Sequence, residues 1–246
     1  MTRPLSIILS VLFLFLASCE GKEKRQNNNV KTTTNSRVKE KDSIAEFPPQ
    51  AEKKEEKKLV RNDEPQLVQE ELIPFLMQYG KENPEDRVRI STRFGDIEVK
   101  LFKDTPLHRA NFIYLVKQDY FEGTYFHRVD SGFVIQGGNS DNLETSIKRN
   151  NIGSFLIPSE YDAGHKHTRG TFSAAKYSEQ NVSDASSPFE FFIVQSHRGA
   201  HHLDNEHTAY GRVTKGMAIV DSINSQQVGA GEWPLLNIPM KVEIIE

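Results

Sequence analysis

One cysteine in 246 residues cannot close an intramolecular disulfide, so an oxidising compartment would leave the fold untouched. A strong charge of either sign is also lacking. Lys plus Arg number 31 and Asp plus Glu 34, a formal net charge of −3 that argues against a nucleic-acid binder. No apolar run is long enough to span a bilayer comfortably; the most extended one is Leu5 to Phe15. Histidines are present at His165, His167, His197, His201 and His202, but no acidic or sulfur ligand joins them at a recognisable spacing. No metal is therefore expected, and no cofactor is implied. The most informative stretches, Gly123 to Val129 and Gly132 to Asn139, read as two strands around a turn. They can bring Arg128, Phe133 and Gln136 onto one surface: a fixed cation, an apolar platform and an amide. No Ser, Cys or Asp nucleophile joins these three, which suits chemistry driven by electrostatics and shape without a covalent intermediate.

The N-terminal quarter has its own composition. Arg3 gives a basic start, the apolar run follows, and Leu16-Ala17-Ser18 places small residues before Cys19. Residues 1–18 thus read as a signal peptide rather than a transmembrane helix. Leu16-Ala17-Ser18-Cys19 resembles the lipobox of bacterial lipoproteins, in which the cysteine is lipidated and becomes the new N-terminus. Cys19 is the lipidation site this implies, and two or more acyl chains would hold stably at about 0.8 kcal/mol per buried methylene. From Glu20 onward Asn, Lys, Glu, Thr and Gln dominate, and Phe47 is the sole aromatic before Glu64. Residues 19–64 cannot bury enough apolar surface to offset ordering, and read as a disordered, charged tether.

Apolar periodicity begins near Pro65. Leu67, Val68, Leu72, Leu76 and Tyr79 approximate a helical stripe, with Gly80 as a stop, which predicts a helical extension over 65–86. Pro74 interrupts the stripe, either kinking it or opening a fresh helix. Docking, substrate contact and stability are all open as its role.

From Arg87 short strands alternate with turns. Val88 to Arg93 and Asp96 to Phe102 flank Phe94-Gly95-Asp96 as a hairpin. Thr105-Pro106 opens a helix running to Lys117, and Lys215 to Ile223 has helical spacing. Further strands are expected around 170–175, 189–195, 209–213 and 241–245. The expected fold is mainly β: one closed antiparallel barrel over 87–246, capped by two helices.

Residues 87–246 resemble the cyclophilin-type peptidyl-prolyl cis–trans isomerases. The likeness is carried in order by Ala110-Asn111-Phe112, Phe126-His127-Arg128-Val129, Gln136-Gly137-Gly138, His167-Thr168-Arg169-Gly170, Phe191-Phe192-Ile193 and Tyr210-Gly211-Arg212-Val213. It implies an eight-stranded β-barrel with two helices and acceleration of Xaa-Pro bond rotation. It also implies that Arg128 is the catalytic cation and that Gln136 holds its guanidinium and contacts the substrate backbone. Phe133, Val134, Phe192 and Leu203 become walls of a proline pocket. Phe191 and Phe192 must face opposite sides of their strand, and the resemblance selects Phe192. Ala175 would offer its backbone to the substrate peptide, with Lys176 following at a variable position. His207 would pack beside the proline ring.

Two residues depart from the family pattern. His202 stands where many members have a cyclosporin-binding Trp, which predicts weak cyclosporin binding. Glu190 replaces the usual Gln; either it pairs with Arg128 and competes with substrate, in which case Glu190→Gln would raise activity, or it selects basic residues near the proline. The resulting expectation is a monomeric isomerase, lipid-anchored in a bacterial cell envelope (facing the periplasm or on the outer membrane), acting on proline-containing exported polypeptides. The alternative is a chaperone or scaffold that binds proline segments with weak or no turnover.

Overall fold

The computed structural model describes residues 66–177 and 184–246. The signal peptide, Cys19 and the tether lie outside the described residues.

Strands β1 (Arg87–Thr92) and β2 (Gly95–Leu101) form the expected hairpin, with Ile90 opposite Ile97 and Val88 opposite Val99. Their alternation puts Val88, Ile90, Ile97, Val99 and Leu101 in the core and leaves Glu98 and Lys100 outward. Helix α2 (Pro106–Lys117) follows, with Pro106 in its first turn, where a missing N–H costs nothing. Next come β3 (Tyr125–Asp130), β4 (Val134–Asn139), helix α3 (Leu143–Ile152), β5 (Thr171–Ala174) and β6 (Phe191–Val194). The chain closes with β7 (Ala209–Lys215), helix α4 (Met217–Asn224) and β8 (Lys241–Ile244).

All eight strands join one antiparallel sheet in the order β3-β4-β6-β5-β7-β2-β1-β8. The sheet curls into a half-barrel rather than the closed barrel expected. Between its edge strands there is no ladder, only a bridge from Tyr125 to Pro239 and two flanking backbone bonds, Phe126 N–H to Ile238 C=O at 2.9 Å and Met240 N–H to Thr124 C=O at 3.2 Å. The inner face packs on α2 through Phe112, which meets Phe121, Phe172 and Phe191 at ring separations of 4.9, 5.2 and 5.8 Å.

The extension contributes helix α1 (Leu72–Glu82), and Pro74 sits harmlessly in its first turn instead of kinking it. Leu72 and Leu76 are fully buried in the same core as the sheet, and Phe75, Tyr79 and Tyr114 of α2 form an aromatic triad. Gly80 is not the stop. It lies at the crossing over α2, where an added Cβ would stand 3.1 Å from Ala110 Cβ and from the Arg109 guanidinium. Arg109 terminates the helix, donating to the carbonyls of Gly80 (2.8 Å), Asn83 (2.9 Å) and Glu85 (3.2 Å). The helix α3 has no counterpart among the predicted elements. It buries only Thr145 and Ile152, and no apolar stripe announces it.

Candidate active site

Three adjacent strands set the centre of the site. The register places Arg128 of β3 opposite Gln136 of β4, and Gln136 opposite Phe192 of β6. Simple alternation would put Arg128 on the same side as Phe126, which is fully buried in the core. A β-bulge between Phe126 and Arg128 breaks that phase, so that Val129 returns to the core while Arg128 faces out. On the outer side Val134, Phe192, Val194, Ala175 and Ala200 make a small apolar cluster separate from the main core, with Phe133 and Leu203 packed against it. Phe191 points into the main core and Phe192 into this second cluster, as their adjacency requires.

Above the cluster lies a cavity of about 200 Å³. Arg128, Gln136 and Lys176 form its polar wall; Phe133, Val134, Ala175, Phe192, Leu203 and His207 form the rest. Each of these nine is a residue singled out from the sequence. Phe192 meets His207 edge to face at 5.5 Å. The cavity is thus an apolar slot with one guanidinium and one amide on the same side, a shape suited to a small ring whose flanking amide is engaged from that side.

Similarity to known proteins points the same way. The family model described as "Cyclophilin type peptidyl-prolyl cis-trans isomerase/CLD" matches residues 87–244. The chain belongs to this family. An Acinetobacter baylyi peptidyl-prolyl cis-trans isomerase is 35% identical over 138 residues, 55% of this chain and 70% of the relative. Peptidyl-prolyl cis-trans isomerase A of Dickeya dadantii is 32% identical over 163 residues, covering 65% and 81%. A Cryptosporidium parvum cyclophilin-type isomerase superimposes with a TM-score of 0.55 at 24% identity, covering 66% of this chain and 98% of that one, and has also been crystallised with the dipeptide Ala-Pro.

In this cyclophilin the polar partners differ from those the resemblance suggests. Arg128 donates from Nε to Glu232 Oε2 at 2.6 Å and from Nη2 to Asp130 Oδ2 at 3.0 Å. Gln136 instead donates from Nε2 to Glu190 Oε2 at 3.0 Å. Carboxylates outcompete an amide oxygen for a guanidinium, so Gln136 is not what holds Arg128. Glu190, in turn, does not oppose Arg128. Its other oxygen accepts from Arg149 Nη2 at 3.0 Å, and His127 Nε2 lies 3.5 Å away. Burial would raise the Glu190 carboxyl, but His127 and Arg149 override it and hold the group below its ordinary range. Glu190→Gln would therefore act on Arg149 and Gln136 rather than free Arg128.

The Ala175 backbone is also committed. Its N–H donates to Glu190 C=O at 3.0 Å and its C=O accepts from Ser187 N–H at 2.8 Å, continuing the β5–β6 pairing beyond Ala174. Ala175 serves as wall. Lys176 pairs with Asp184 at 2.8 Å. His202 is exposed at the rim, stacked on Phe133 at 5.4 Å, outside the cavity lining. Glu232, Asp130 and Arg149 were not picked out from the sequence. Asp130 carried a signal, standing two residues from Arg128 on one strand; Glu232 and Arg149 come from distant segments and carried none.

The loop bearing Leu203 and His207 hangs on Asp204. Its Oδ1 accepts from the His167 backbone N–H at 2.8 Å and lies 2.9 Å from His167 Nδ1, and His201 Nδ1 lies 3.2 Å from Oδ2. Burial opposes ionisation of Asp204, yet these hydrogen bonds lower its pKa from 3.8 to about 2. A depressed carboxyl stabilises the fold above its unfolded value and loses that contribution as pH falls through the folded one. Urea stability should therefore drop between about pH 4 and pH 2, with a shallower slope in Asp204→Asn; equal slopes would refute this. Burial also lowers the His207 pKa, more than the Ala174 carbonyl, 3.1 Å from Nδ1, raises it. Burial thus favours the neutral ring, which packs as part of the apolar wall.

Proposed function

We propose that this cyclophilin rotates Xaa-Pro bonds by non-covalent electrostatic catalysis at Arg128. The observation carrying the reading is that Arg128 shares one cavity with Phe133, Phe192 and Leu203, an apolar seat for the proline ring. Rotation must break amide resonance against a barrier of about 18–20 kcal/mol. At the twisted geometry the prolyl nitrogen regains a lone pair, and a guanidinium donor placed there stabilises that state more than the planar one. Gln136, with its Nε2 turned to Glu190, is left with its carbonyl oxygen to offer a substrate N–H. No proton changes hands, in keeping with a neutral His207. That the Cryptosporidium relative was crystallised in the presence of the dipeptide Ala-Pro is in keeping with a proline-peptide ligand. The binder-only reading rested on Glu190 opposing Arg128 and on the altered lid at His202; Glu190 faces Arg149 instead, which leaves that reading only the lid. The deciding experiment is NMR exchange on Xaa-Pro peptides with the full chain beside Arg128→Ala.

The clients we propose are exported polypeptides, met by an enzyme tethered through lipidated Cys19 in a bacterial envelope. The support is the apolar run ending in Leu16-Ala17-Ser18-Cys19 and the charged stretch behind it. No helix among the described residues is long and apolar enough to cross a membrane. Expressed in a bacterium, the full chain should partition with membranes and gain acyl mass at Cys19, and Cys19→Ser should release it. Membrane association unchanged in Cys19→Ser would overturn the anchor.

A further inference from the structure

We propose that Glu232 is the residue that positions Arg128 for catalysis, with Asp130 as its partner. The inference rests on the isomerase reading of the pocket and adds the device that aims its cation.

The hydrogen bonds from Arg128 use one edge of the guanidinium. Nε–H goes to Glu232 and an Nη2 hydrogen on the same side goes to Asp130, at 2.6 and 3.0 Å. A guanidinium has five donors in a rigid plane, so fixing two along one edge fixes where the remaining three point. Arg128 lines the cavity, and those three are the donors left for a substrate. The hydrogen bond that the Gln136 side chain makes goes from Nε2 to Glu190, not to Arg128.

The mount of Glu232 is built independently of Arg128. It lies in the loop between α4 and β8, where Val228 bridges Pro234, Gly229 N–H donates to Trp233 C=O at 2.8 Å and Leu235 N–H to Gln227 C=O at 2.9 Å. Trp233 Nε1 donates to Asn237 Oδ1 at 2.9 Å, and Arg93 donates to the carbonyls of Leu236 and Asn237. Within this frame Gly231 and Glu232 are both left-handed, with φ of 65° and 59°. A non-glycine residue in that region is strained and persists where its surroundings hold it. Here the consequence is that the Glu232 carboxylate meets Arg128. The same loop places the Trp233 ring 5.8 Å from His127, beside the bulge that turns Arg128 outward. With side-chain exposures of 44% for Glu232 and 30% for Asp130, water screens both carboxylates, so they orient the cation more than they cancel it.

The test measures isomerisation by the full chain for Glu232→Ala and Glu232→Gln, each alone and with Arg128→Ala. Glu232→Ala should lower kcat/KM about tenfold, nearly all in kcat, with the thermal unfolding temperature unchanged. Glu232→Gln keeps an acceptor oxygen at the same reach and should recover most of the loss. In the Arg128→Ala background Glu232→Ala should have no further effect, because it acts through Arg128. The Arg128 Nε–H resonance should move upfield in Glu232→Ala, a change that a purely structural loop residue would not produce. Unchanged or raised kcat/KM in Glu232→Ala overturns the proposal, the second by making Glu232 a competitor for Arg128. If the wild-type chain shows no catalysis, the isomerase reading itself fails, whereas a silent Glu232→Ala in an active enzyme defeats only this inference.

Discussion

Arg128→Ala is expected to lower kcat/KM by about 10²–10³-fold, by analogy with the removal of one preorganised donor from a developing oxyanion. The loss should fall on kcat more than KM, because the apolar slot formed by Phe133, Val134, Phe192 and Leu203 stays intact and still seats the proline ring. Arg128→Lys should recover little. A lysine carries the charge but not the plane, so it cannot meet Glu232 and Asp130 along one edge while presenting donors along the other. Exchange NMR on a proline peptide measures both quantities at equilibrium. An Arg128→Ala enzyme within threefold of wild type would remove Arg128 from the mechanism and leave shape and desolvation to account for the rate.

The largest effect on stability is expected at Glu190. Its side chain is 10% exposed, and the Arg149 side chain it meets is 23% exposed. Arg149 is embedded further, donating from Nε to the Tyr120 hydroxyl at 2.9 Å and from Nη2 to Gly138 C=O at 3.1 Å. Removing the carboxylate strands a guanidinium in a site built for a pair. Glu190→Ala should therefore cost about 3–5 kcal/mol. For a domain of this size that is a fall of roughly 10 °C in Tm. Glu190→Gln keeps an acceptor for Arg149 and should cost less, but its amide no longer dictates which end of the Gln136 amide faces it. Replacing both members, as in Glu190→Leu with Arg149→Met, should be milder than Glu190→Ala alone, since no unpaired charge remains. A Glu190→Ala Tm within about 2 °C of wild type would show that Arg149 finds other partners.

The pocket was readable from the sequence through the family resemblance: the order of short motifs along 87–246 implied the nine cavity residues, and the adjacency of Phe191 and Phe192 required that only one of that pair face the pocket. What could not be read were long-range electrostatic partnerships. Glu190 looked like a competitor for Arg128 because it stands where the family usually has a pocket Gln; Arg149, which claims it, sits on a polar helix that leaves Leu143 exposed and buries almost no apolar surface. The Phe126–Arg128 bulge has no composition of its own, and it decides which side Arg128 faces. Glu232 reaches the site only through two consecutive left-handed residues, a backbone state no residue preference announces for glutamate.

The pairing of β1 with β8, Val88 with Ile244 and Ile90 with Val242, joins the first strand of the domain to the last. During synthesis β1 leaves the ribosome with its neighbour β2 but waits for nearly the whole domain before its other edge is covered. Such non-local closure makes for slow folding, because the entropy of bringing the ends together is lost before the contacts form. Until then β1 offers an open edge to any extended chain nearby. The sheet is therefore complete only once β8 has been made, which leaves the β1 edge as the surface where mispairing is most costly.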